Sequence, residues 1–251
     1  EEKITKRTKA IIVVHQFGHA AEMDEIMALA QKYNLKIIED NAESIGATYN
    51  GKLLGTFGDV STYSFFGNKI ITTGEGGAVL TDDENIAIKC RELRDHGMNH
   101  KQKYHHVDLG YNYRMTNMQA AIGLAQIEKL DHILSLRKEQ MNFYYNELEN
   151  VEGISLRQFT DWCKPVHWMM TLTLDDKYNR DDFLLYMKRN GIDCRQMIHP
   201  VHRAEHFQKL FEFNIFNNSE YISDRSVHLP SSTLLKKSEI NKVSAIVKNY
   251  L

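Results

Sequence analysis

Apolar residues change their spacing several times along the chain, and each change marks an expected element. The run Ala10-Ile11-Ile12-Val13-Val14-His15 is short, continuous and β-branched, the pattern of a fully buried strand. From Met23 to Tyr33 the apolar positions recur at helical spacing, and Asn34 is suited to stop that helix. A second short strand follows over 35–40. Strand, helix and strand within about 30 residues predict a βαβ unit, hence a parallel sheet. A glycine-rich connector over 46–58 leads to strands at 61–66 and 77–81, the second preceded by the tight turn Thr73-Gly74-Glu75-Gly76-Gly77. A helix is expected over 85–96. Thr116-Asn117 then caps a long helical stretch over 118–148, whose stripe of Ala120, Leu124, Ile127, Leu130 and Leu134 reads as core.

Past Gly153 the pattern changes. A strand is expected over 168–174, a helix over 180–189 closed by Asn190-Gly191, an extended piece over 192–198 and a terminal helix over 238–251. The expected fold class is α/β. A large domain with a mostly parallel sheet, including the long helix, would occupy 1–150, and a smaller α+β C-terminal domain 151–251.

Charge and composition remove several function classes. Among 251 residues, 31 Lys and Arg oppose 33 Asp and Glu, a net charge of −2. That balance gives no reason to expect nucleic acid or a membrane as partner. No apolar run approaches the roughly 20 residues that span a bilayer, and residues 1–6 hold no signal-peptide core. Cys90, Cys163 and Cys194 are widely spaced and form no CxxC pair, which points to a reducing cytosol. His96, His100, His105 and His106 cluster, but no acid or thiol completes a zinc spacing there, so they read as a polar loop without metal. No G-x-G-x-x-G follows a strand, which argues against a nicotinamide enzyme. The chain begins without Met and enters a strand almost at once, so it reads as starting inside a domain.

Three chemical groups line up on the expected sheet. Asp40 ends one strand, Ser64 lies near the end of another, and Lys69 follows five positions later, before a glycine-rich turn. Ligands of open parallel sheets bind at the carboxyl ends of the strands. An amine, a carboxylate and a hydroxyl at that edge suit pyridoxal phosphate. The amine forms a Schiff base with the cofactor's aldehyde, the carboxylate keeps the pyridine nitrogen protonated, and the hydroxyl helps to hold the phosphate.

The segments Ile38-Glu39-Asp40-Asn41-Ala42-Glu43-Ser44-Ile45-Gly46, Gly55-Thr56-Phe57-Gly58-Asp59 and Ser64-Phe65-Phe66-Gly67-Asn68-Lys69, with Thr73-Gly74-Glu75-Gly76-Gly77 behind them, resemble the DegT/DnrJ/EryC1/StrS sugar aminotransferases. Gly110-Tyr111-Asn112-Tyr113-Arg114-Met115 is similar to a later signature of the same family. Glu43 and the Phe-Phe-Gly-Asn-Lys run resemble the perosamine-synthase branch, which acts on nucleotide-linked 4-keto-6-deoxy sugars. The resemblance is dense over 37–123 and thin after 155.

It implies the aminotransferase fold type I. It also implies pyridoxal phosphate as cofactor, passing through pyridoxamine phosphate, with glutamate as amino donor and a homodimer with shared sites. Lys69 would hold the cofactor and shuttle the proton, Asp40 would face the pyridine nitrogen, and Glu43 would lie near the ring. Ser64 would bind the phosphate, and Asn112 would reach the phosphate of the neighbouring subunit. Arg114, Arg195, His199 and His202 would border the sugar-nucleotide site. Full-length members carry roughly 100 or more residues ahead of the point matched by residue 1. A phosphate-binding Gly-Thr or Ser-Thr pair and a ring-stacking aromatic are expected there. The alternative expectation is a non-catalytic or regulatory pyridoxal-phosphate-binding homologue, or a fragment acting only in assembly.

Overall fold

The computed structural model describes residues 1–99, 101–212 and 214–251. The chain divides into two units, 1–134 with 159–168 and 135–158 with 169–251, so it changes unit inside one helix and again around an excursion of ten residues.

The first unit opens with β1 (Ala10–Val14), α1 (Met23–Tyr33) and β2 (Lys36–Asp40). Asn34, in the left-handed conformation with φ 51° and ψ 49°, ends α1 as expected. Two short strands, β3 (Thr48–Tyr49) and β4 (Lys52–Leu53), form a hairpin inside what reads in sequence as an irregular connector. Then come β5 (Val60–Ser64), β6 (Gly77–Leu80) and α2 (Glu84–Arg94), whose N-cap Asp83 accepts from two backbone N–H groups. The main sheet runs β1-β2-β5-β6, with β1, β2 and β5 parallel and β6 antiparallel to β5.

Two expectations of burial fail in this unit. β1 is an edge strand, and although Val13 is buried, Ile12 and Val14 are 65% and 47% exposed. The long helical stretch splits at residues 128–129 into α3 (Asn117–Ile127) and α4 (Leu130–Leu148). Thr116 caps α3 in a capping box with Gln119. The apolar stripe of α3 is not core: Ala120, Leu124 and Ile127 are exposed, as are Met118 and Ile122 on the same helix, because the described residues do not cover that face.

The second unit takes the rest of α4, then β7 (Ile154–Leu156). The excursion that returns to the first unit carries β8 (Cys163–Lys164), which pairs with β3. Back in the second unit follow β9 (Met170–Leu174), α5 (Arg180–Arg189), β10 (Arg195–Gln196), α6 (Asn217–Arg225), β11 (Ser226–Leu229) and α7 (Lys237–Tyr250). Their sheet, β10-β11-β9-β7, is antiparallel. It packs on the helices through one apolar core that includes Tyr144, Leu172, Phe183, Met187, Val227 and Ile240. The strand expected from residue 168 starts at Met170, and Trp168 belongs to the first unit.

Candidate active site

The carboxyl tips of β2 and β5 carry the chemistry. Asp40 ends β2 and stands opposite Thr62 in β5, so Ser64 lies two residues further toward the same edge, about 7 Å along the strand. Asp40 Oδ1 accepts the Ala42 N–H at 3.0 Å, which turns the chain toward Glu43.

Lys69 sits on a loop between β5 and β6 that is fastened at several points. Its N–H donates to the Phe66 carbonyl at 3.0 Å, and the Thr73 N–H donates to the Phe65 carbonyl at 2.9 Å. The α3 side chain Gln126 clamps Thr72 from both sides, accepting its N–H at 3.1 Å and donating to its carbonyl at 2.6 Å. Ile70 and Ile71, next to the lysine, are buried. A Cβ at Gly77 would lie 2.6 Å from the Tyr63 carbonyl oxygen, so only glycine lets β6 close this loop onto β5.

Lys69 Nζ lies 3.6 Å from Glu43 Oε1 and 4.0 Å from the centre of the Trp168 ring. Glu43 Oε2 accepts the Phe17 N–H at 2.6 Å. Burial pushes the Glu43 carboxyl above the usual carboxylate range. The Phe17 N–H and the Lys69 ammonium pull against that rise, and the nearby Asp40 charge adds to it. Phe17 itself has φ 51° and ψ 32°, a left-handed backbone that is costly for a bulky residue.

Behind the tip of β2 stands Glu39, fully buried. Its Oε1 accepts the N–H groups of Phe57 and Gly58, both at 2.7 Å, and its Oε2 accepts that of Gly55 at 2.7 Å. His15 Nδ1 accepts the Ala21 N–H at 3.1 Å, which leaves the proton on Nε2 to be donated to Glu39 Oε2 at 3.2 Å. Burial alone would push the Glu39 carboxyl up; the His15 N–H and the three backbone N–H groups outweigh it and hold the carboxyl below the usual range.

Lys69 and Glu43 are therefore in contact, Asp40 is near enough to act on Glu43, and Ser64 is on the same sheet edge. Ser64 Oγ, half-buried, accepts the Phe66 N–H at 3.3 Å. Asn112 and Arg114 lie on an exposed arm, where Asn112 bridges to Asp95 and the Arg114 guanidinium reaches Asp95 Oδ2 at 3.4 Å. On the same arm His106 Nδ1 donates to the His96 carbonyl at 2.8 Å; His100 lies outside the described residues. Arg195, His199 and His202 belong to the second unit. Arg195 pairs with His228, whose imidazole is pushed down to about 4 by burial and by the Arg195 charge. His199 is exposed, while His202 stacks on Phe216 and bonds Glu220 at 2.9 Å. Phe17, Glu39, His15 and Trp168 are missed by motif reading. Glu39 alone left a trace: it falls on the same face of β2 as buried Ile37, ahead of several glycines.

The donor set suits pyridoxal phosphate. A primary amine is held between a carboxylate and an aromatic ring, with a further carboxylate and a hydroxyl at the adjoining strand tips. Three comparisons bear on this arrangement. The profile of the DegT/DnrJ/EryC1/StrS aminotransferase family matches residues 1–248. GDP-perosamine synthase of Caulobacter vibrioides is 39% identical over 254 residues, and that of Vibrio cholerae 36% identical over 252; each alignment takes in 100% of this chain and 68% of the relative. The crystal structure of DesV from S. venezuelae superposes with a TM-score of 0.89 at 31% identity, covering 98% of this chain and 66% of DesV.

Proposed function

Since the chain belongs to the DegT/DnrJ/EryC1/StrS aminotransferase family, we propose that it moves an amino group from glutamate to the keto carbon of a nucleotide-linked 4-keto-6-deoxy sugar of the perosamine type. Pyridoxal phosphate is its cofactor, and when bound it supplies an electron-withdrawing ring that takes up the charge left when a carbon beside the nitrogen loses its proton.

The chain's own residues have distinct tasks. Lys69 Nζ anchors the cofactor and carries the proton to and from the amine-bearing carbon. The Asp40 carboxylate keeps a proton on the ring nitrogen by charge. Ser64 Oγ donates toward the phosphate, and Glu43 orients the ring from beside Lys69. Asn112 serves the neighbouring subunit's phosphate, which makes the working form a homodimer. Arg114, Arg195, His199 and His202 border the nucleotide-sugar. The domain boundary near residue 150 remains the proposed division between cofactor-binding and C-terminal parts.

The observation that carries this reading is the Lys69 amine, held 3.6 Å from Glu43 at the strand edge that ends in Asp40. Two relatives named GDP-perosamine synthase support the choice of sugar. The test is to incubate the purified protein with pyridoxal phosphate, glutamate and GDP-, UDP- or dTDP-linked 4-keto-6-deoxyhexoses, with mass spectrometry following conversion of keto to amino sugar. Amination is expected with the GDP sugar, and Lys69→Ala should abolish both turnover and the Schiff-base colour. Unimpaired turnover by Lys69→Ala would sink the assignment.

A further inference from the structure

Trp168 has no task in the reaction described above, yet it is the side chain that the Lys69 amine faces. It is 3% exposed, and its contacts form a closed circuit with the lysine. The indole Nε1–H donates at 2.7 Å to the carbonyl of Asn68, the peptide directly before Lys69. The ring stacks on Phe17, with centroids 5.7 Å apart and planes 20° from parallel. The Phe17 N–H is bound by Glu43, and Glu43 faces Lys69 Nζ at 3.6 Å. Lys69 Nζ in turn lies 4.0 Å from the Trp168 ring centre. The approach of the two aromatic segments depends on Gly18. Its carbonyl accepts the Val166 N–H at 3.1 Å, and a Cβ there would meet the Val166 carbonyl oxygen at 2.1 Å.

A lysine ammonium is a compact charge on a flexible four-carbon stem and has no fixed resting place of its own. An aromatic face attracts a cation through its quadrupole, most strongly for Trp and most effectively away from water. We propose that Trp168 is a positioning residue for Lys69: its ring face and the Glu43 carboxylate hold the amine at one point, while its indole N–H fixes the main chain beside it. An amine that is displaced and must return in every cycle gains from a single resting place, since misplacement at the reacting atoms costs rate rather than affinity. The kinetic consequence rests on the aminotransferase reading; the contact does not.

The experiment therefore has two arms. In the full chain freed of cofactor and carrying lysine labelled with ¹³C at Cε, ring current should displace the Lys69 ε-methylene protons upfield, and Lys69→Arg identifies that signal. Trp168→Leu should abolish the displacement and Trp168→Phe should keep part of it. The signal of Lys52, whose Nζ lies 4.2 Å from the Phe57 ring, should persist in both as an internal reference. An unshifted Lys69 signal, or one unchanged in Trp168→Leu, overturns the proposal. If the leucine variant fails to fold, the phenylalanine variant decides: it loses the bond to Asn68 but keeps a ring face, so complete loss of the shift overturns the proposal. In the kinetic arm, Trp168→Leu should lower kcat about tenfold with the KM for the amino donor unchanged, and Trp168→Phe should restore part of it. A raised KM at constant kcat would make Trp168 a substrate wall and overturn the positioning role. Absence of turnover in the unmodified protein would count against the aminotransferase reading alone, leaving the spectroscopic arm intact.

Discussion

The two units fill their interiors in different ways. The second buries a continuous apolar cluster, with Leu172, Leu174 and Phe183 at 0% exposure between its sheet and its helices. The first places a carboxylate and an imidazole, Glu39 and His15, at the same zero exposure, and leaves Ile12 and much of the α3 stripe open. An apolar cluster stabilises in proportion to area and tolerates small adjustments of direction. A buried carboxylate is stable only where donors meet its oxygens at set angles, so it costs more to place but fixes geometry more tightly. The first unit carries the candidate chemistry, and the polar anchor sits one residue before Asp40. Precision at the tip of β2 thus comes from hydrogen bonds to Glu39, alongside the apolar packing of residues such as Met23, Ile37 and Ile71 in the same unit.

The largest expected effect tests the apolar half. Leu172→Ala should lower unfolding stability by about 4 kcal/mol, because it opens a cavity in a fully buried sheet position. Urea unfolding measures it, and a loss below about 1 kcal/mol would mean that the cluster is loosely packed. Glu39→Gln tests the polar half, with an expected loss of about 3 kcal/mol. The amide replaces one acceptor oxygen by a donor that faces two N–H groups. Acid response sharpens the point. The Glu39 carboxyl is held below its unfolded value, so its contribution is complete above about pH 4.3 and is lost as pH falls through the folded value. The unmodified protein should therefore lose stability on acidification over that range, and Glu39→Gln should flatten the loss. An identical acid profile in the two proteins would remove Glu39 from the account.

Smaller effects belong to elements held by neither mechanism. The outward apolar face of α3 contributes little burial, so its first turn depends on the Thr116–Gln119 capping box. Thr116→Ala should cost about 1 kcal/mol, and hydrogen exchange should show the fraying confined to that turn.

What could be read from sequence follows the same division. The βαβ unit and the run from Ser64 to Gly77 are legible because β-branched runs and glycines punctuate them locally. The excursion over 159–168 is not: Phe159-Thr160-Asp161-Trp162-Cys163-Lys164-Pro165 has no period, and β8 exists only because β3, far away in the chain, pairs with it. For that reason Trp168 reads in sequence as the start of the following strand, which begins instead at Met170. α6 reads Asn-Asn-Ser-Glu-Tyr-Ile-Ser-Asp-Arg, too polar to signal a helix, and β11 is four residues long with every one buried. For the stripe of α3 the helix was legible but its environment was not, because periodicity reports an apolar face and says nothing of what covers it.

The smallest expected change sets Glu43 against Glu39, four residues away on the same edge. Burial raises the Glu43 carboxyl above its unfolded value, which reverses the sign. Between the two values the folded chain binds more protons than the unfolded chain, so stability falls as pH rises through that window. Glu43→Gln removes the titration and keeps an acceptor oxygen for the Phe17 N–H. In cofactor-free protein at neutral pH the variant should match or exceed the unmodified chain by no more than about 1 kcal/mol, and its stability should no longer decline over the window. Unfolding at pH 4 and pH 7 measures both quantities. A loss well beyond that margin at neutral pH would show that the contacts to Lys69 and Phe17 outweigh the cost of burying the charge. Glu43 would then join Glu39 as a structural anchor rather than a strained group retained at the site.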